Sequence, residues 1–179
     1  MKLNPNKIQF CEKEVKLLGI GLNGVDITPS EIKKNKALEF PVPTEVSDVR
    51  RFLGLTGWFR DFIKDYAAKI IKFTDSLQGK GKDWKWTEEM NLKFINLKKT
   101  LSELGKKLRI VDYEKEFLLR TDASNIGMGA GQRKMVSVQW ASKKFTPTEM
   151  KYGISEKEMY AMFWAVKKLN MNLEEEDLK

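Results

Sequence analysis

Apolar and polar positions change period several times along the chain, and each change marks an element. From residue 7 to 28, Ile8 and Phe10 alternate with polar neighbours, Val15, Leu17 and Leu18 follow, and the GIGLNGVDI run supplies a turn at Asn23 and Gly24; together they predict a β-hairpin. A lone hairpin is marginal in water, so this one must pack on the following helices or belong to a larger sheet. From Ser30 the spacing becomes helical, with Ile32, Ala37 and Leu38 on one side, until Pro41 and Pro43 end it. Thr44 then predicts the N-cap of a second helix, with Glu45 and Asp48 in the first turn, where carboxylates favour the positive end of the dipole. One stripe of this helix carries Val49, Phe52, Leu53, Phe59, Phe62, Ile63 and Tyr66, and the other side carries Arg50, Gly54, Gly57, Asp61 and Lys64.

A third short helix is expected through Ile70, Ile71, Phe73 and Leu77, and the glycine- and lysine-rich QGKGKD after it predicts a domain boundary. Thr87 reads as the cap of a helix whose Met90, Phe94, Leu97, Leu101 and Leu104 repeat at helical spacing, with Lys93, Lys98 and Lys99 outside that stripe. The runs EFLLRTDAS, IGMGAGQ and MVSVQWAS then predict an antiparallel meander of three strands. A last helix is announced by two capping-box spacings, Thr146 with Glu149 and Ser155 with Glu158, and Met159, Met162, Phe163, Val166 and Leu169 are expected to bury one face. No internal repeat is present, and the one low-complexity stretch is the acidic Glu174 to Asp177.

The 179 residues, 41% hydrophobic, suffice for one good-sized core or two small ones. The excess of 33 basic over 25 acidic residues gives a formal charge of +8, which favours a polyanionic partner through long-range attraction and counterion release, although a basic solvated surface alone would carry the same charge. One cysteine, Cys11, and no histidine exclude an intramolecular disulfide and a structural zinc site, and point to an intracellular protein. The N-terminal MKLNPNKIQF has no apolar signal core and no apolar run approaches a membrane span, so neither export nor insertion is expected.

Read in order, the segments resemble the reverse transcriptase and ribonuclease H part of the Pol polyprotein of gypsy-like long-terminal-repeat retrotransposons. LNPNKIQF with VKLLG is similar to the end of the polymerase palm and its primer-grip hairpin, and ITPSEIKKNKALEFPVPTEVSDVRRFLGLTGWFRDFI to the thumb. WKWTEEMNLKFINLKKTL resembles the connecting segment, while FLLRTDASNIGMGA with SVQWASKKFTPTEMKYGISEKEMYAMFWAVKKL resembles the first half of the ribonuclease H domain. The likeness runs from about residue 3 to residue 170 through five collinear motifs. It implies an α+β fold: a primer-grip-like hairpin and helical thumb, then a truncated RNase H-like half domain of antiparallel meander plus helix. The implied divisions are 1–28 (palm end and hairpin), 29–79 (thumb-like helices), 80–112 (connecting helix), 113–170 (N-terminal half of the RNase H-like domain) and 171–179 (acidic tail). Four departures stand out: Ile20 where the family usually has histidine, a shortened glycine turn at GAGQRKM, and the absence of the family's upstream YxDD and downstream TDH motifs.

Ribonuclease H chemistry hydrolyses an RNA phosphodiester with two divalent cations held by about four carboxylates. By the resemblance, Asp122 of TDAS would bridge both ions, magnesium in the family, and Glu158 would hold one; the two later aspartates are absent, so the catalytic set is expected to be incomplete. Plainer roles compete: Asp122 as a turn residue with Ser124, and Glu158 as the closing half of a capping box with Ser155. In FLGLTGWF, Gly54 and Gly57 each cost a helix up to about 1 kcal/mol, which calls for a close approach. The resemblance lays this helix along the minor groove of template and primer, with Trp58 on a sugar or base edge; tight packing inside the thumb, with Trp58 in the core, is the alternative. Arg50, Arg51, Arg60 and Lys64 are then phosphate contacts, or simply the solvated face of a helix. The expected partners are an RNA/DNA hybrid or primer–template duplex and other Pol segments, not a membrane. The competing functions are a co-opted protein-interaction module, and a residual magnesium-dependent nuclease in which Glu174 to Asp177 replace the lost aspartates.

Overall fold

The computed structural model describes residues 10–17, 19–78, 84–104, 108–110, 118–133 and 137–169. The beginning of the expected hairpin, Leu18, most of QGKGKD, Lys134 and Met135 of the shortened turn and the acidic tail lie outside these residues. The first strands, β1 (Val15–Leu17), β2 (Ile20–Leu22) and β3 (Asp26–Pro29), form an antiparallel ladder rather than a two-stranded hairpin. Asn23 and Gly24 make the β2–β3 turn: the Asn23 side-chain oxygen accepts from the N–H groups of Val25 and Asp26, and Gly24 takes a φ of 82° that a side chain would resist. A fourth strand, β4 (Leu108–Arg109), pairs with β3 from far along the chain.

Helix α1 (Glu31–Leu38) is capped by the Ser30 side chain and buries Ala37, but Ile32 points into solvent. Helix α2 (Val46–Gly57) begins one residue later than Thr44 implies, because the Asp48 carboxylate turns back to accept from both the N–H and the hydroxyl of Thr44, leaving Glu45 at the N-cap. The long stripe from Val49 to Tyr66 is buried throughout or nearly so, yet it is not one helix. α2 stops at Gly57, a 3-10 turn covers Arg60–Phe62, and Asp65 enters the left-handed region at φ 55° before α3 (Tyr66–Ser76) starts in a new direction. A buried contact of 2.9 Å between the Thr56 hydroxyl and Tyr66 OH clamps the corner.

Helix α4 (Glu88–Ser102), capped by Thr87 as expected, seats Met90, Phe94, Leu97 and Leu101 in one core with Val49, Phe52, Phe59 and Phe73 of the preceding helices. Phe52 is its hub, with ring centres of Phe40, Phe73 and Phe94 at 5.4, 6.0 and 4.7 Å. Beyond it, β5 (Leu118–Ala123), β6 (Gly127–Arg133) and β7 (Ser137–Lys144) form the predicted meander, in the order β5-β6-β7.

Helix α5 (Ile154–Lys168) covers one face of this sheet, but not with the residues its hydrophobicity suggests. Met159, Met162 and Phe163 are exposed, at 68%, 51% and 57%, while Ala161 and Ala165 are fully buried against Met128, Ala130 and Ala141. Alanines let the helix backbone approach the sheet, and Tyr160 and Trp164 fill the flanks. The start also differs. Thr146 and Glu149 do exchange capping-box hydrogen bonds, ahead of a 3-10 turn at Glu149–Lys151, but α5 itself is closed by the Glu156 side chain accepting from Gly153 N–H, with Ser155 already inside the helix. No helix of the described residues is long and apolar enough to cross a membrane.

Candidate nucleic-acid interface

Along α2 the polar side left over from the core is built from Arg50, Arg51 and Gly54, all exposed, followed by half-buried Gly57. The spacing sets Arg50, Gly54 and Gly57 on successive turns of one face. Asp48 fixes Arg51 through an ion pair; the Thr44 N–H and the Arg51 guanidinium hold the Asp48 carboxyl down at about 2. A Cβ added at Gly54 would meet no atom within 4 Å, and one at Gly57 only the Tyr66 hydroxyl at 3.8 Å. Neither glycine is therefore demanded by packing inside the protein. Trp58 differs: it is half-buried, stacks on Phe62 at 6.1 Å between ring centres, and has the Lys33 ammonium 4.3 Å from its ring centre. Those contacts give it packing work of its own.

Arg60 and Lys64 do not continue the α2 face. They lie past its end, where α3 meets the face of the meander opposite α5. Strand alternation puts Asp122, Gly129, Gly131, Trp140, Ser142 and Lys144 on that face. Ser142 Oγ accepts from Ala67 N–H at 2.8 Å, Lys144 pairs with Asp75, and Lys64 Nζ stands 5.9 Å from the Trp140 ring centre. Reading the strand SVQWASKK with period two would have grouped Trp140, Ser142 and Lys144; nothing in the sequence showed that α3 covers them.

Asp122 is exposed on edge strand β5 and lines a cleft of about 490 Å³ between α3, α4 and the sheet, which Asp65, Lys72, Glu89 and Lys93 also enter. Glu158 stands half-buried on α5, the helix that packs on the other face, and does not line that cleft. Both plainer roles fall away. The Ser124 hydroxyl closes its turn onto Gly127 without Asp122, and Glu156, not Glu158, closes the α5 cap. Among the described residues no group of three or more His, Cys, Asp and Glu side chains is placed to hold a metal ion. Strand parity turns Asp122 to the sheet face opposite the one on which α5, the helix of Glu158, packs.

The family described as "RNase H-like domain found in reverse transcriptase" matches residues 86–179, more than half of the chain. The chain belongs to that family. Its relatives are polyproteins of mobile elements. The chain is 33% identical over 171 residues to the retrovirus-related Pol polyprotein from transposon 297 of Drosophila melanogaster, covering 93% of this chain and 16% of the polyprotein. It is 29% identical over 171 residues to the transposon Tf2-3 polyprotein of Schizosaccharomyces pombe, covering 92% and 13%. The chain thus spans less than a fifth of the length of these curated relatives. Among solved structures, the foamy viral protease-reverse transcriptase dRH in complex with double-stranded DNA superposes with a TM-score of 0.78 at 23% identity, covering 89% of this chain and 29% of that one. The same viral enzyme in complex with RNA/DNA hybrid gives 0.76, covering 88% and 22%. For this RNase H-like chain, these likenesses establish the fold.

Proposed function

We propose that this Pol-type chain holds a nucleic-acid duplex, RNA/DNA hybrid or primer–template, along the outer face of α2, and that it descends from a gypsy-like element. The observation that carries the reading is Gly54. A glycine in mid-helix, exposed, beside Arg50 and Arg51 and with open space where its side chain would be, is explained by an external surface that must come close. Phosphates are the fitting surface for those arginines, and the charge of +8 brings them in. The viral structures of the same fold are complexes with double-stranded DNA and with hybrid, which supports the choice of duplex. Arg60, Lys64 and Trp58 then flank the track, and 1–28, 29–79, 80–112 and 113–170 correspond to palm end, thumb, connection and RNase H-like half.

By their resemblance Asp122 and Glu158 are the candidates for a magnesium-binding pair, but no hydrolytic step is assigned to them, since among the described residues no group of three or more metal-ligating side chains comes together. Binding without cutting is the activity proposed. Titration of a labelled hybrid with the whole chain tests it: affinity should fall steeply and linearly on a log–log plot as salt rises, and Arg50→Ala should flatten the slope. Affinity indifferent to salt would sink the reading.

A second reading, docking to another Pol segment, is favoured by the outward apolar stripe of Met159, Met162 and Phe163 on α5. Sedimentation of the chain with and without Phe163→Glu tests it; identical monomeric behaviour alone and with added Pol segments would dismiss it.

A further inference from the structure

A smaller cleft, of about 220 Å³, follows the seam between α3 and β7 and is lined on the helical side by Arg60, Asp61 and Tyr66 and on the other by Trp140, Lys144 and Lys168. Its charge is lopsided. Lys144 is neutralised by Asp75, and Asp61 is the one acid among the described lining residues. Arg60 and Lys168 form no ion pair with another described residue, and neither does Lys64, whose ammonium reaches over Trp140. The first turn of α3 opens into the same cleft through Tyr66 and Ala67, and its dipole adds positive potential. Two cations outside any ion pair, Arg60 and Lys168, from two separately built parts of the fold therefore line one concave site that Trp140 also lines, and Lys64 stands over that same indole. Like charges gathered around a cleft repel, and Asp61 is the one acid of the described lining that offsets them.

We propose that the seam cleft is a phosphate-backbone subsite, in which one phosphodiester of a bound strand sits between Arg60 and Lys168 with Lys64 and Trp140 at its rim. It rests on the reading that α2 binds nucleic acid and extends it: the strand that runs past Arg50 and Gly54 is carried over Arg60 onto the RNase H-like sheet. Trp140 offers an apolar surface to the sugar, while the cations take the phosphate oxygens, so the contact positions the strand and reads no sequence.

The test is fluorescence anisotropy of a labelled RNA/DNA hybrid with the whole chain over a salt series, comparing Lys64→Ala, Lys168→Ala and Arg50→Ala. Lys64 and Lys168 are exposed, so neither change endangers folding. Lys64→Ala and Lys168→Ala should each lower the slope of log affinity against log salt by about 1 and weaken binding equally for unrelated sequences. If both keep the slope of the unaltered chain while Arg50→Ala loses affinity, the subsite is wrong and the α2 reading stands. If the unaltered chain binds no hybrid, both fall together. Inorganic phosphate at matched ionic strength should not displace the hybrid; displacement would mark a site for free anions and overturn the proposal.

Discussion

Gly131 and Trp140 face each other across the β6–β7 ladder, and the indole lies so close over the glycine that a Cβ there would stand 2.5 Å from the ring. Trp140 is also packed against the helical core, which limits how far it can withdraw. Gly131→Ala should destabilise the chain by about 1–3 kcal/mol, the usual cost of overpacking, and change the tryptophan emission at the seam. Gly129→Ala makes the contrast. Its Cβ would meet the Asp65 carboxylate, the movable end of an exposed side chain, and should cost less. Equal melting temperatures for the two variants would contradict this account.

Gly54→Ala should separate stability from binding. With open space at the new methyl and a better helix former in mid-helix, the melting temperature should rise, by up to about 1 kcal/mol of stability. Hybrid affinity should fall roughly tenfold, about 1.4 kcal/mol, if a nucleic-acid surface lies against this face. A rise in both would show that the glycine serves nothing outside the protein.

Lys143 and Tyr160 both donate to Glu149 Oε1, at 2.8 and 2.7 Å, and Thr146 N–H donates to its other oxygen. Burial pushes the Glu149 carboxyl up, but these donors outweigh it and hold it at about 2, against an ordinary 4.5. The unfolded chain therefore binds the proton first as pH falls. Stability from this group is complete above about 4.5 and is lost progressively down to about 2. Asp48, also held at about 2, acts in the same window, so Glu149→Gln should reduce the acid slope of stability without abolishing it. On the alkaline side, burial opposes the Lys143 charge while Glu149 and Tyr160 favour it, and the net effect raises its pKa; its contribution is present below the ordinary lysine range and lost as pH climbs through the raised value. Acid and alkaline melting series on the two proteins measure both.

On α5, charge should be tolerated where hydrophobicity is greatest. Met159→Glu and Met162→Glu, on the outer face, should shift stability by no more than about 0.5 kcal/mol, whereas Ala161→Leu, pressed on the sheet, should cost about 1–3 kcal/mol. The opposite ranking would mean the helix is turned the other way.

The same helix shows where sequence reasoning reaches its limit. Methionine and phenylalanine weigh heavily in any apolar stripe, alanine hardly at all, yet closeness of backbones is what seats α5. The α4 stripe was legible because its five large residues all meet one aromatic core, and the meander because glycines and polar pairs punctuate it. The corner at Asp65 was hidden, since the apolar period runs through it unchanged and only the backbone turns. Asp122 and Glu158 were legible through resemblance, but that Asp122 faces away from the helix carrying Glu158 depends on strand parity and on which face α5 takes. Trp140 and Lys168 went unnoticed because the seam joins segments far apart in sequence.

The pairing of β4 with β3, and the meeting of Phe94 with Phe52, give the chain a timetable. A ribosome that has made only the first three helices has made half of a core, with the β3 edge open and Phe52 and Phe73 still wet. Folding must wait for α4 and the residues just after it. A protease cut in the glycine- and lysine-rich segment between them would divide the aromatic core, leaving its two halves held together only by their packing, while the smaller cores between the meander and α5 stay whole in the second piece.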